Sequence, residues 1–517
     1  MKDIYLTKNK GLISFLLLLA FTLIKPQQSN AQLIYQPYSY QFYQKLNKNV
    51  YSASENSHTS LKPYLISDSS VMRPLHDSLM NSPASTIHRS WVHRKLFDEH
   101  LIDVKNKDYT FYLDFLPDFQ LGREFNGSKT TWLNTRGYQA GITIGQKFFI
   151  YTSGFENQAQ FSNYELNYTR RTGMVPGQAY SKDPSPTKPI DWSYVTALIG
   201  YKVNNSLTVE LGQDKTFIGD GYRSLLLSDF AAPYPLLRLR VNLGKKVQYT
   251  AMWSYMQDQY ATEFNSFYNN RRKWGAFHYV DWTINKNASL GFFNALIAEE
   301  ADDQGKGHGF DLNYINPILF SSGLRPSGTT PDHTLIGFNG KYKVLKNTTV
   351  YGQLVFDQAP AQTNKNKNAW QLGFRGTDLF KVSRLNYLVE YNTATPNTYT
   401  YSAHPIVNYS QLSESLAHPL GSDFREWLSI INYSINKFDF QGQLNYARYG
   451  IDQSGQRLAT SMRFAEGKVA YLLNPKYNLR LEVSGLIRQE KNNLTDSKTS
   501  MITFGLKSSF RNLYHDF

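Results

Sequence analysis

Residues Gly122 to Thr130 read GREFNGSKT, one residue away from a phosphate-cradling loop. That chemistry needs the lysine directly after the second glycine, on a turn between a strand and a helix, so that backbone N–H groups surround the phosphates. Here Ser128 intervenes, and the flanking residues alternate as the two arms of a hairpin do, so the stretch reads as a turn. DEHLI around His100 lacks the second histidine of a zinc-protease helix, and no G-x-S-x-G turn presents a nucleophilic serine. Eleven histidines are scattered without ligand spacing. Glu299, Glu300, Asp302 and Asp303 offer hard oxygen ligands of the kind Ca²⁺ takes, but not at EF-hand spacing, and read as a solvated loop. The chain has no cysteine, which excludes thiolate zinc sites, a disulfide framework and lipid attachment through an N-terminal cysteine. The expectation is a non-enzyme with no catalytic residues, no metal and no cofactor.

The surrounding elements point elsewhere. Lys2, Lys8 and Lys10 precede an apolar run from Leu12 to Ile24, and Ser29-Asn30-Ala31 supplies small residues for cleavage before Gln32. Residues 1–31 therefore read as a secretory signal peptide, and the cell outer membrane as the destination. Beyond it no apolar run reaches the length of a transmembrane helix. Yet aromatics make up 15% of the chain, with 37 Tyr and 32 Phe, while mean hydropathy is −0.47. Many aromatics within a polar average mean alternation, the pattern of strands with one apolar and one polar face.

The alternation is explicit. Phe438, Phe440, Gly442, Leu444 and Tyr446 share one face, and Asp439, Gln441, Gln443 and Asn445 the other. Val350, Gly352, Leu354 and Phe356 oppose Tyr351, Gln353 and Asp357; Tyr477, Leu479, Leu481, Val483, Gly485 and Ile487 oppose Asn478, Arg480, Glu482, Ser484 and Arg488. Such strands begin near Asp108, Trp132, Lys147, Asp191, Ser206, Tyr234, Lys246, Arg272, Ala288, His333, Asn347, Asn368, Arg384, Phe424, Phe438, Ser461, Tyr477 and Thr499. That is about 18, each long enough to cross a bilayer at a tilt. Short turns, as at Asn204-Asn205 and Asn436-Lys437, alternate with long connections, as at Gln213–Pro233 and Thr395–Asp423. Two classes of connection in strict alternation mark an outer-membrane barrel, with short turns in the periplasm and long loops outside. The predicted fold is all-β: an antiparallel barrel over 108–517, with long inward-folding extracellular loops. Residues 32–107 are polar and form a short periplasmic extension, either tucked into the barrel mouth or disordered, with a short helix within Arg89–Leu101. The terminal Phe517 is expected to close the last strand, as in the signal read by the barrel assembly machinery.

A formal net charge of +14 on an exported barrel suits acidic polysaccharide or lipopolysaccharide phosphate, not nucleic acid. Tyr164, Tyr168 and Tyr180 share one outer loop with Arg170, Arg171, Lys182 and Lys188. Tyr268 precedes Arg271, Arg272 and Trp274 at the edge of another. Two readings fit both sets: cations and aromatic faces that take an acidic sugar, or an interfacial girdle whose cations meet lipid headgroups.

The densest stretch is GQDKTFIGDGYRSLLLSDFAAPYPLLRLR, Gly212 to Arg240. It covers a strand end, an extracellular loop and the returning strand. Leu225, Leu226 and Leu227 should not face water, so the loop is expected to fold inward and constrict the lumen. Gly219 and Gly221 permit the turn, and Arg223 is expected to pair with Asp220 or Asp229. The run from Gly219 through Asp220, Gly221, Tyr222, Arg223, Ser224, the three leucines and Ser228 to Pro233 and Pro235 resembles the hallmark of the capsule-assembly Wzi-type outer-membrane proteins. Ile218 stands where that pattern usually has Trp. HTSLKPY, RKLFDEHLIDVKNKDYTFYLDFLPDFQLGR and the ending NLYHDF resemble more closely the Bacteroidota gliding-motility RemB-like branch. The resemblance implies a monomeric barrel, partly plugged by its own loops, that holds capsular or exopolysaccharide at the cell surface in capsule assembly or gliding motility. Its implied partners are acidic polysaccharide or lipopolysaccharide, outer-membrane lipid and a motility-machinery protein. Two alternatives stay open: a scaffold for a protein of a motility or secretion machine, and a diffusion channel.

Overall fold

The polar/apolar alternation closes on itself. The computed structural model describes residues 33–51, 58–67, 70, 72–81, 89–182, 188–259, 271–307, 309–316, 332–358, 367–450 and 458–517. Eighteen long strands form one closed antiparallel barrel. They are β1 Tyr109–Glu124, β2 Lys129–Ile144, β3 Phe148–Gln160, β4 Ile190–Lys202, β5 Leu207–Asp214, β6 Tyr234–Leu243, β7 Val247–Asp258, β8 Arg271–Thr283 and β9 Ala288–Glu299. There follow β10 Asp332–Leu345, β11 Thr348–Asp357, β12 Asn368–Gly376, β13 Leu385–Ala394, β14 Phe424–Ile435, β15 Phe438–Tyr449, β16 Thr460–Asn474, β17 Leu479–Lys491 and β18 Asp496–Lys507. Every strand starts within three residues of its expected position.

Register is fixed by the two faces, because a one-residue slip would turn every polar side chain toward lipid. Leu121, Leu444 and Ile487 point outward and are more than half exposed, while Gln443 and Asn445 point inward and are buried. Inner turns are tight, as at Asn436 with φ 52°, where a left-handed residue matches the twist of the flanking strands. One face reading is corrected. Tyr477 and Leu479 are buried with Leu116 and Phe155, because Tyr477 lies in the turn before β17, its hydroxyl reaching Lys95 O at 3.4 Å.

Barrel closure is split. β18 pairs only with Phe119–Glu124 of β1. The lower part of β1, Thr110–Leu113, is paired by a short strand, Ile102–Lys105. Pro117 stands where β18 peels away; it has no N–H for the ladder, and its carbonyl is taken by Ser508 Oγ at 2.7 Å. The chain beyond Lys507 therefore leaves the wall. Phe517 does not close the last strand, as the sequence reading had it; Ser508–Phe517 turns into the lumen.

The N-terminal segment also enters the lumen. Helix α1, Tyr40–Val50, buries Tyr40, Phe42, Tyr43, Gln44, Leu46, Asn47 and Val50. α2, Arg73–Met80, packs beside it, and α3, Trp91–Phe97, is largely exposed. Ile34–Gln36 pairs with Tyr64–Ile66, and Leu61–Lys62 pairs with Phe217–Ile218 of the loop between β5 and β6. The polarity of this segment is no bar to burial, since the wall it meets is itself lined with Gln, Asn and charged groups that need partners.

Candidate functional site: the filled lumen and its outer cap

Three pieces of chain meet inside the barrel: the N-terminal segment, the loop after β5 and the C-terminal tail. The first two join at Asp220, which is fully buried. Gly219 has φ 149°, and a Cβ there would lie 2.5 Å from Gln353 Nε2, so the approach to the wall requires glycine. The Asp220 carboxylate accepts from Ser60 Oγ at 3.0 Å and from Tyr51 hydroxyl, Asn339 Nδ2 and Lys341 Nζ at 3.1 Å each. Burial alone would raise this carboxyl, but Lys341, Lys62 and the Asn339 amide hold it well below the usual carboxylate range. Burial pushes the Lys62 ammonium down to about 7 against the pull of Asp220; its Nζ donates to Gly219 O at 2.5 Å. Arg375 lies 4.0 Å from the Tyr51 ring centre and donates to Asp220 O.

Arg223 joins the loop to the tail. Its Nη2 donates to Glu426 Oε1 at 3.0 Å, and to Asp516 Oδ2 and Asp516 O at 2.8 Å each. His418 Nε2 lies 2.7 Å from Glu426 Oε2. The expected pairing with Asp220 or Asp229 is corrected. Asp220 is engaged by the N-terminal segment, and Asp229 accepts from Tyr514 hydroxyl at 2.6 Å and Asn512 Nδ2 at 2.7 Å. Both acids thus serve segments remote in sequence. Glu390 accepts from the backbone N–H of Tyr222 and Arg223 at 3.0 and 3.2 Å.

The three leucines follow. Ser224 Oγ accepts from the N–H of Leu226 and Leu227 and donates to Ile218 O, which bends the chain back on itself. Tyr399 and Tyr409 donate to the carbonyls of Leu225 and Leu226 at 2.9 and 2.6 Å. Leu225, Leu226 and Leu227 have no exposed surface. Leu226 lies on Gly337 of β10, where an added Cβ would sit 2.3 Å from its Cδ2. Ser228 Oγ donates to Ala417 O; Pro233 precedes β6 and Pro235 is the second residue of that strand.

The tail rises toward the outer mouth and meets α4, Asn163–Thr172. Phe517 lies 5.6 Å from the ring centre of Tyr164 and 4.5 Å from that of Tyr168. Arg488 donates to Phe517 O at 3.1 Å, and His515 Nδ1 lies 3.0 Å from Glu165 Oε1. Glu414, in the loop between β13 and β14, accepts from the N–H of Gly177 at 2.7 Å and of Ala232 at 3.1 Å, and from Tyr168 hydroxyl at 3.3 Å. Burial pushes this carboxyl up to about 7, against the Gly177 N–H and Lys215. Around the tail, between it, the wall and the N-terminal segment, lie cavities of about 80, 80 and 70 Å³.

The basic and aromatic residues read from the outer loops separate. Tyr164 is buried and Tyr168 half-buried against Phe517, while Arg170 and Arg171 are exposed at the C-terminal end of the same helix, where cations suit the helix dipole. Tyr180 is half-buried. Arg271 is buried and binds Glu299, Asp303 and Ala301 O, whereas Arg272 and Trp274 point outward against Tyr255. Alternation along β8 forces that split. Tyr268 lies outside the described residues. Arg271 and Tyr255 hydroxyl occupy the acidic cluster, and among the described residues no group of three His, Asp or Glu is placed to hold a metal.

No protein-family model and no curated protein sequence matches the chain. In fold it is similar to Wzi of Escherichia coli, an outer membrane protein involved in group 1 capsule assembly and a carbohydrate-binding β-barrel. The TM-score is 0.55 at 14% identity, covering 92% of this chain and 100% of that one. A BenF-like porin of Pseudomonas fluorescens has a TM-score of 0.47 at 10% identity, covering 78% of this chain and 99% of the porin. OccK7 of Pseudomonas aeruginosa has 0.42 at 10%, covering 78% and 99%. The fold is that of an outer-membrane barrel.

Proposed function

We propose that this protein holds an acidic polysaccharide at the cell surface, using the barrel as a filled pedestal and not as a channel. The filled lumen carries the reading: buried ion pairs and leucines stand where a diffusion channel needs water. The fold likeness to a carbohydrate-binding barrel supports it. So does the sequence resemblance to the RemB-like branch, from which the polysaccharide would serve surface adhesion or gliding. Arg170 and Arg171 are exposed at the end of a helix locked from below by Phe517 and present positive charge outward, Arg171 over the Tyr168 ring at 5.7 Å.

The test is polysaccharide binding by the folded full-length barrel at low and high salt, with Arg170→Ala/Arg171→Ala alongside. The reading predicts binding to acidic glycans that weakens at high salt and in the variant. A folded barrel that binds no glycan refutes it and moves the function to anchoring a protein partner.

A further inference from the structure

The outer wall carries a second basic feature, away from the mouth. Arg425, Arg448 and Arg463 all point outward and are exposed, on the adjacent strands β14, β15 and β16. Arg425 lies directly opposite Arg448 in the ladder. Arg448 opposes Ser461, two residues from Arg463. Like charges directly opposite on one sheet face repel each other, so sequence and register have gathered positive charge where the wall alone gains nothing from it. Among the described residues none of the three has a hydrogen-bond or ion-pair partner. Asp496, the nearest outward carboxylate along these rows, is held by Gln489 and Lys491.

Depth is set by the neighbours. Trp370, Tyr391 and Trp427 form a continuous aromatic row, with ring centres 4.9 and 4.7 Å apart, and Tyr446 opposes Trp427. Such a row marks the membrane interface. Arg425 and Arg448 lie one outward position beyond it, on the extracellular side. Below Arg463 the wall is hollowed by a concavity of about 410 Å³, walled by Trp427, Leu444 and Ile487 over the small side chains of Ser429 and Ala465. Deeper still, Gly442, Gly467 and Gly485 stand side by side in register, with open space where their side chains would be.

We propose that this patch binds a phosphorylated glycolipid of the outer leaflet, with the arginines on headgroup phosphate and an acyl chain in the hollow. Guanidinium forks match phosphate oxygens in pairs, and three uncompensated cations above an apolar groove complement an anionic amphiphile. A free anion would have no use for the groove, and the groove alone would not require the arginines. The site is separate from the polysaccharide surface proposed at the mouth and does not depend on it.

The test is native mass spectrometry of the full-length folded chain in non-ionic detergent, with bisphosphorylated lipid A and its dephosphorylated form as probes. Expected is retention of the phosphorylated probe, weakened on the order of 100-fold in Arg425→Gln/Arg448→Gln/Arg463→Gln, while the dephosphorylated probe binds the two proteins alike. Ser429→Trp, which fills the hollow and leaves the charges, should weaken both probes. Heat-modifiable migration on gels confirms that each variant is folded. Unchanged binding in the triple variant, or stripping of the lipid by excess inorganic phosphate, overturns the proposal.

Discussion

Arg223, in the loop after β5, and Asp516, one residue from the C-terminus, meet at 2.8 Å inside the barrel. Together with Glu426 they form a buried ionic triad that ties loop, wall and tail. Removing the cation leaves two buried carboxylates without their partner. Arg223→Ala is expected to lower stability by about 3–5 kcal/mol, read as a fall in the urea midpoint of barrel unfolding. Arg223→Lys should rescue little, since one ammonium cannot reproduce the fork. An Arg223→Ala barrel with an unchanged midpoint would show that the triad contributes nothing.

Leu226 and Gly337 form a complementary pair, a large side chain over a bare backbone. Leu226→Ala should cost about 2–5 kcal/mol through the cavity it leaves. Gly337→Val should cost about 1–3 kcal/mol through overpacking. The double variant should be more stable than the sum of the two losses, because each change relieves the other. Additive losses in a double-mutant cycle would place Leu226 elsewhere.

Glu414 makes the outer cap sensitive to pH. Its folded-state value, pushed up to about 7, lies above that of a free carboxyl, so folding favours the protonated form. The contribution is fully present below about pH 4.5 and is lost as pH rises through 7, with a total on the order of 3 kcal/mol. Lys215, which faces it, is lowered by burial and works in the opposite sense, losing its contribution as pH falls. Amide exchange around Gly177 and Ala232, corrected for intrinsic rate, should therefore quicken between pH 6 and pH 8. In Glu414→Gln that quickening should vanish; a slope retained in the variant would assign the effect to another group.

Phe517 sets its ring against α4 inside the lumen, with its carbonyl on Arg488 of β17, and takes no part in the wall's ladder. Phe517→Ala is expected to leave barrel formation intact, with the heat-modifiable band unchanged, while protection of α4 against exchange falls by roughly fivefold or more, as loss of an aromatic contact of about 1 kcal/mol or more would give. Loss of the folded band would return Phe517 to a role in assembly of the wall.

The barrel was legible because its rule is local. Period-two alternation and two classes of turn set strand number, starts and faces without any distant contact. The Gly219–Pro235 stretch also announced itself, through leucines that had no place in a solvated loop. Its partners did not. Asp220 meets Ser60 and Lys341, and Arg223 meets Asp516, across separations that no periodicity encodes. The inward tail was masked by the alternation of the strand that precedes it; only Pro117, a ladder breaker opposite the end of that strand, hinted that the pairing stops. The polarity of the N-terminal segment leaves tucking into the barrel and disorder both open, because a polar lumen can bury a polar segment. Arg271 and Trp274 were grouped by nearness in sequence, although strand parity sends them to opposite faces.

The measurement that bears most directly on the filled barrel is conductance of the folded full-length protein in planar bilayers. The account predicts a closed barrel, with conductance appearing only when the N-terminal segment, the loop leucines and the tail Ser508–Phe517 are removed together. A stable open channel from the intact chain would contradict it.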